Sequence, residues 1–267
     1  NLEAVAGESG GRAAVNLDSG RLLKVKNITV EAMGSGSGSG SYGGSSGARI
    51  SLEAFSGIDA MNLAATAQSG SARIDAETTN GPLKTLGLRA ISSNSSAEVS
   101  LEANTASSTI TVGGAVEGSG TAAMFNASAF NINLNGDVDL TAPSYVDMYT
   151  MAANNLVVNG DITAREAGGG MVNVGLFAAK AATINGDVKV MGGQGSYAFL
   201  DIGTDEDAMV LPVNTVNVVG DVSVVSGMLA NAVIFGRNVN VPGKVTVRGV
   251  GAAVMSGDIN AGLAVWA

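Results

Sequence analysis

The chain has 267 residues, of which 46% are hydrophobic, 14% are charged and only 4% are aromatic; 38 are Gly and none is Cys or His. The apolar content excludes intrinsic disorder, and a net charge of −9 without a cluster of Lys and Arg excludes nucleic acid as a partner. No run of about 20 apolar residues predicts a transmembrane segment. With so few aromatic residues, a narrow core of Val, Ile, Leu, Ala and Met is favoured, which is typical of a solenoid.

Short units that alternate apolar and small polar residues recur in the first half of the chain. The clearest copies are residues 28–32, 50–54 and 99–103, with weaker copies at 61–65 and 86–90. This alternation is the pattern of a strand with one buried side. Ala32 and Ala54 are 22 residues apart, and Ala54 and Ala65 are 11 residues apart, so we expect the first half to repeat at nearly the same length as the second half.

A second unit recurs in the second half, where each copy contains a Gly that is mostly flanked by Asn or Val and by Asp. The marker residues are Gly136, Gly160, Gly186, Gly220 and Gly243, spaced by 24, 26, 34 and 23 residues. A base period near 24 residues with one long insertion accounts for these spacings.

Stacking of these units predicts an all-β fold, a right-handed parallel β-helix (β-solenoid) with coils of about 22–26 residues. Val, Ile and Thr suit a pleated surface, and Gly, Ser and Asn interrupt every window long enough for a helix. We expect one solenoid over residues 1–267, with Gly/Ser/Ala-rich coils in 1–125 and Asn-Gly-Asp-Val coils in 126–267. Three stretches are interpreted as loops or irregular sides of longer coils: 141–155, 165–180 and 191–212.

The Gly-Asp pairs of the second unit are a candidate site, because a solenoid places them at one corner of successive coils. These residues are Gly136, Asp137, Gly160, Asp161, Gly186, Asp187, Gly220 and Asp221. We interpret them as turns, in which Gly supplies a positive φ and Asp a short polar side chain. The alternative is a cation held between carboxylates about 5 Å apart. Lys244 replaces Asp in the last copy, which favours a turn that faces solvent.

The densest acidic cluster is Asp201, Asp205, Glu206 and Asp207. Clustered carboxylates in a loop that contains Gly suit calcium, so weak calcium binding by Asp201, Asp205 and Asp207 is a hypothesis. The alternative is a solvated loop, since the spacing matches neither an EF-hand nor a calcium-binding β-roll. No other cofactor is predicted.

Catalytic residues are scarce in this sequence. Without His the usual general base and metal ligand are missing, and without Cys there is no thiol chemistry. We therefore predict that the chain is not an enzyme. Carboxylates paired across coils leave a polysaccharide-degrading β-helix enzyme as a minor alternative.

Residues 262–266 form an apolar segment near the end of the sequence that has neither charge nor Pro. An edge strand of this kind is a template for pairing with another chain, and terminal coils of solenoids usually carry polar caps. We expect Leu263, Val265 and Trp266 to contribute to an end-to-end interface between copies of the chain.

The Asn-Gly-Asp-Val units, best seen at residues 184–188 and 218–222, resemble the repeats of filamentous-haemagglutinin-like bacterial surface proteins. The resemblance implies a right-handed parallel β-helix at the surface of a Gram-negative bacterium, with roles in attachment, aggregation or biofilm matrix. The N-terminal secretion domain of a complete member is not in this sequence, so we expect a fragment or a processed subunit.

The predicted function is accordingly that of a structural extracellular protein, a segment or subunit of a bacterial surface fibre or adhesin that stacks end to end. One alternative is a non-polymerising adhesin stalk that binds glycans or host surfaces. The degradative enzyme named above is a third.

Overall fold

The computed structural model describes residues 1–7, 11–33, 47–203, 215–250 and, for the backbone only, 260–266. In these residues the regular elements are strands, and none is a helix. In chain order the strands are β1 (Leu2–Ala6), β2 (Arg12–Ser19), β3 (Leu22–Ala32), β4 (Gly47–Ala54), β5 (Gly57–Ala67), β6 (Ser71–Thr78), β7 (Leu83–Thr85), β8 (Gly87–Ser92), β9 (Ser96–Ala103), β10 (Thr109–Val112), β11 (Val116–Ser119), β12 (Ala122–Leu134), β13 (Val138–Ala142), β14 (Tyr145–Val158), β15 (Ile162–Glu166), β16 (Met171–Ala178), β17 (Ala181–Ile184), β18 (Val188–Met191), β19 (Tyr197–Gly203), β20 (Thr215–Val218), β21 (Val222–Ser226), β22 (Leu229–Phe235), β23 (Asn238–Asn240), β24 (Val245–Gly249) and β25 (Asn260–Trp266).

The strands pair in parallel in three ladders, so that each coil has three faces. Face 1 contains β2, β4, β6, β9, the first parts of β12 and β14, then β16, β19, β22 and β25. Face 2 contains the first parts of β3 and β5, then β7, β10, the last parts of β12 and β14, β17, β20 and β23. Face 3 contains β1, the last parts of β3 and β5, then β8, β11, β13, β15, β18, β21 and β24. This topology confirms the predicted parallel β-solenoid.

The core is a narrow stack of aliphatic side chains, because alternate residues of each strand point inward. On face 2, for example, Leu134, Val158, Ile184 and Val218 are fully buried and lie in register in successive coils. Burying a side chain of this size contributes about 1.5–3 kcal/mol. The core therefore stabilises each coil through contacts with the coils above and below it.

The coil lengths predicted from the second half are confirmed by hydrogen bonds between equivalent residues. The backbone N–H groups of Asp161, Asp187, Asp221 and Lys244 each donate to an aspartate in the preceding coil, at sequence separations of 24, 26, 34 and 23 residues. These separations equal the spacings of the marker glycines.

The first half does repeat at nearly the length of the second, since Ile50 pairs with Ile74, 24 residues further on, but the spacing from Ala32 to Ala54 does not measure this repeat. Ile28 lies on face 3 and pairs with Leu63, whereas Ile50 lies on face 1 and pairs with Ile74. The 22 residues between Ala32 and Ala54 therefore separate two different faces rather than two coils. All three faces use the same inward-outward alternation, so alternation alone does not say which face a strand belongs to.

The three stretches interpreted as loops or irregular sides of longer coils contain regular face 1 strands: β14, β16 and β19. In each strand every second residue is buried, as in the series Val146, Met148, Thr150 and Ala152 of β14. No helix in the described ranges is long and apolar enough to cross a membrane.

Candidate functional site

A column of glycines forms the corner between faces 2 and 3. A Cβ atom on Gly160 would lie 2.4 Å from the carbonyl carbon of Gly136, and one on Gly186 would lie 2.2 Å from the carbonyl oxygen of Gly160. Gly136, Gly220 and Gly243 meet the backbone of the preceding coil just as closely. None of the five has a positive φ, so the conformational reason given above for these glycines is wrong. Glycine is needed because the stacked backbones leave no room for a side chain.

The aspartates next to these glycines bridge one coil to the next. Oδ1 of Asp137, Asp161 and Asp187 each accepts the N–H of the next aspartate in the column at 2.9 Å, and Oδ1 of Asp221 accepts the N–H of Lys244 at 2.8 Å. Each carboxylate thus satisfies a backbone donor that the tight corner leaves without a backbone acceptor. The geometry is that of a structural ladder.

A lysine compensates part of the charge in this column. Lys189 Nζ lies 3.0 Å from Asp187 Oδ2 and 4.0 Å from Asp161 Oδ2. The N–H of Asp221 and the ammonium group of Lys189 lower the pKa of Asp187, and Asp187 in turn raises the pKa of Lys189. In the described residues no group of three or more Asp and Glu side chains is arranged to hold a metal ion.

An asparagine ladder runs beside the aspartates. Asn159 Nδ2 donates to Asn135 Oδ1, and Asn185 Nδ2 donates to Asn159 Oδ1, both at 2.7 Å. The ladder ends where the exposed Val219 takes the place of Asn. Asn, Gly and Asp at this corner therefore each make a separate contact between coils.

The other two predicted sites are only partly covered by the structure. Asp201 lies in β19 with its backbone paired to β16 and β22, whereas Asp205 and Asp207 lie outside the described residues. The calcium hypothesis therefore stays a prediction. Leu263 and Val265 lie in β25 opposite Ala232 and Ile234 of β22, and Trp266 lies opposite Phe235. Their role in an interface also stays a prediction.

The outer surface of face 1 gathers most of the aromatic side chains in the described second half. In β14, β16 and β19 the outward positions carry Tyr145, Asp147, Tyr149 and Met151, then Met171, Asn173, Gly175 and Phe177, then Tyr197, Phe199, Asp201 and Gly203. We call this surface the aromatic face. The register places these residues in four columns that run from coil to coil.

Four of the five rings of the aromatic face are arranged in two pairs. Tyr197 and Phe199 are parallel, with an angle of 2° between planes and 6.5 Å between centroids. Tyr149 and Phe177 are tilted by 55° with centroids 5.3 Å apart. Phe177 is buried although its position points outward, because its ring lies over Gly175, where a Cβ would be only 2.4 Å from Phe177 Cε2. The face is thus ordered by contacts among its own side chains.

Asp147 is a half-buried carboxylate within these rings. Asn173 Nδ2 donates to Asp147 Oδ1 at 3.1 Å, and the Tyr145 hydroxyl also donates to this carboxylate. Burial raises the pKa of Asp147 more than these two hydrogen bonds lower it. Burial, followed by the charge of Asp147, likewise raises the pKa of Tyr145.

A second acidic group, Glu166, is buried at the corner between faces 3 and 1. Its Oε1 accepts the N–H of Gly168 at 2.5 Å, and its Oε2 accepts the N–H of Gly193 at 3.3 Å and the hydroxyl of Ser196. Burial raises the pKa of Glu166, but the hydrogen bonds from Ser196 and the backbone N–H groups outweigh it and lower the pKa below its ordinary value of 4.5. This arrangement holds an ionised carboxylate inside the column and links two coils.

Of the aromatic face the sequence analysis singles out only Asp201, as a candidate calcium ligand, and it does not single out Glu166. A detectable pattern existed for both: Tyr145, Asp147 and Tyr149 alternate with buried residues, and Glu166 continues the inward series of Ile162 and Ala164. Comparisons with protein-family models, with curated proteins and with solved structures found no match to this chain.

Proposed function

We propose that the chain is a structural part of an extracellular bacterial surface fibre or adhesin, in which it forms a rod that holds other parts of the assembly at a distance. The observation that carries this proposal is the continuous stacking of coils from β1 to β25. Every additional coil lengthens such a column by about 4.8 Å. A chain built in this way produces length rather than an enclosed cavity, which suits a spacer or a fibre.

The ladders at the corners support the same role. Backbone, Asn, Asp and Gly contacts all run along the column from one coil to the next, so that tension or shear is shared over many parallel hydrogen bonds. The resemblance to bacterial surface adhesins favours an extracellular location.

End-to-end stacking through β25 is part of the proposal. In the described part of the chain β25 is the last strand of the face 1 ladder and pairs with β22 on one side. A second copy can continue the parallel pairing on the other side, as strands added to a sheet edge do.

Electron microscopy of the purified chain over a range of concentrations tests the proposal. We expect fibres of constant width that lengthen with concentration. We expect Trp266→Lys, at the position opposite the outward Phe235, to shorten them because a charge blunts a strand edge. Val219→Lys, which places the same charge at an exposed corner away from β25, is the matched control and should leave the fibres unchanged. Globular particles at every concentration are incompatible with a rod.

The alternative of a non-polymerising stalk predicts a different image. It gives discrete rods of one length at all concentrations, unaffected by either substitution. That result would retain the structural role and remove end-to-end stacking from it.

A further inference from the structure

The aromatic face has the composition of a binding surface rather than of a structural one. Aromatic residues make up only 4% of the chain, yet Tyr145, Tyr149, Phe177, Tyr197 and Phe199 occupy outward positions of three consecutive face 1 strands. Tyr197 is 40% exposed and Met171, opposite it in register, is 37% exposed, whereas Phe177 is buried. Adjacent exposed apolar side chains beside further aromatic residues suit an interaction site.

Polar groups are placed between these rings at defined positions. The register aligns Asp147, Asn173 and Phe199 in one column and Tyr145, Met171 and Tyr197 in the next. Neighbours within a column are about 4.8 Å apart and the columns are about 7 Å apart. Asn173 therefore lies one coil spacing from Phe199, and the Asp147 carboxylate lies two coil spacings from it in the same column.

We propose that the aromatic face binds a neutral polysaccharide lying along the column. A pyranose ring has a C–H surface that packs on aromatic rings and a rim of hydroxyl groups that require hydrogen-bond partners. Tyr197 and Phe199 supply the packing surface, and Asp147 with Asn173 supplies the acceptor and donor for the rim. Binding sites commonly combine an aromatic lining with a few fixed polar groups in this way.

Charge selects a neutral ligand over an acidic one. The outward positions of β14, β16 and β19 carry Asp147 and Asp201 but neither Lys nor Arg, and the whole chain has a net charge of −9. Uronate or sulfate groups would be repelled. Docking of a second copy is disfavoured too, because it would bury Asp147 of both copies without a cation.

Binding to a fixed panel of polysaccharides tests the proposal. Native gels are cast with glucan, mannan, galactan or soluble chitin derivative, and with polygalacturonate or dextran sulfate as acidic comparisons. We expect retardation in at least one neutral gel and none in the acidic gels. The double variant Tyr197→Ala/Phe199→Ala should lower the affinity about tenfold or more, since it removes the packing surface. Phe55→Ala, which removes an aromatic side chain that is 51% exposed outside the aromatic face, should bind normally.

A measurement on the unmodified chain keeps the test decisive even if the double variant fails to fold. Nitration of Tyr197, followed by peptide mass spectrometry, should slow when the retarding polysaccharide is present. The proposal is overturned by a lack of retardation across the neutral panel, by preference for the acidic polymers, or by unchanged Tyr197 nitration. Self-association that the double variant abolishes would also overturn it, in favour of a contact between copies. Whether the single chain has the shape of a rod is judged separately by electron microscopy, so failure of this proposal leaves the structural role open to its own test.

Discussion

At the scale of single residues, the stacked corner depends on the absence of a side chain at its glycines. Gly160→Ala forces a Cβ to within 2.4 Å of the backbone of Gly136, and overpacking of this kind costs about 1–3 kcal/mol. Urea unfolding should show a loss of this size. Gly20→Ala is the control, because a Cβ at Gly20 meets nothing within 4 Å; equal losses in both variants would mean that the corner is not close-packed.

Glu166 gives the column a dependence on pH. Its pKa is lower in the folded chain than its ordinary value of 4.5, so its contribution to the free energy of unfolding is complete above that value and is lost as the pH falls through the folded pKa. Glu166→Gln removes an acceptor and turns an amide NH₂ toward backbone donors. We expect it to cost about 1–3 kcal/mol at neutral pH and progressively less in acid.

Urea unfolding of both proteins across this pH range measures the effect. Glu102→Gln, at an exposed position of β9, is the matched control and should leave the pH dependence of the wild-type chain unchanged. A constant difference between Glu166→Gln and the wild-type chain at all pH values would contradict the assignment of an ionised buried carboxylate.

The marker glycines and Glu166 differ in how far the sequence predicts their roles. The marker glycines were found because the same residue recurs at the same corner, although their physical role is to allow close backbone stacking and not a positive φ. Glu166 has no counterpart in the neighbouring coils, since Ala142 lies opposite it in β13. Its place is set by glycines and a serine far along the chain, which periodicity does not report.

At the scale of strands, the aspartate column fixes how each coil sits on the next. Asp187→Ala removes the acceptor for the N–H of Asp221, which is 2.9 Å from Asp187 Oδ1, together with the ion pair to Lys189. We expect faster hydrogen exchange of the Asp221 amide. Asp187→Asn, which keeps an acceptor oxygen, should preserve its protection.

Amide exchange read by mass spectrometry or NMR distinguishes these variants. Asp139→Ala is the control, because Asp139 Oδ1 accepts the Thr141 hydroxyl rather than a backbone donor. The pKa of Asp187 is lowered chiefly by the Asp221 N–H and then by Lys189, so the protection should persist above the ordinary pKa of 3.8 and weaken as the pH falls below it. Unchanged exchange in Asp187→Ala would show that this ladder does not hold the coils together.

Strand assignment succeeded where outward residues repeat and failed where they vary. Faces 2 and 3 of the second half share a Gly at each of the five corners, with Asn and Asp beside it at three of them, and the predicted coil lengths there are correct. On face 1 the outward residues change from coil to coil, from Arg73 and Glu98 to Asp147 and Asn173. The inward alternation continues beneath them, but without a repeated motif those strands were interpreted as loops or irregular sides. The aromatic face was missed for that reason.

At the scale of the whole molecule, each coil of the solenoid contacts only the coils next to it. The free energy of unfolding is therefore approximately a sum over the coils and their interfaces. One complete coil is therefore removable. Deleting residues 137–160, a span of 24 residues, joins Gly136 to Asp161 and removes β13 and β14 together. The remaining strands then have partners of the same face: β15 can pair with β11, and β16 with β12.

We expect the shortened chain to fold with the same parallel β-structure and a length reduced by about 4.8 Å. Its urea m-value should fall in proportion to the surface that is no longer buried. Deleting only residues 137–148 is the matched control, because it removes part of a coil and shifts every later strand to the wrong face; this chain should fail to fold. Circular dichroism, small-angle scattering and urea unfolding of the two deletions decide the matter. If both deletions fold equally well, or both fail, the coils are not interchangeable units, and neither a rod built by repetition nor a fibre built by stacking such rods follows from this fold.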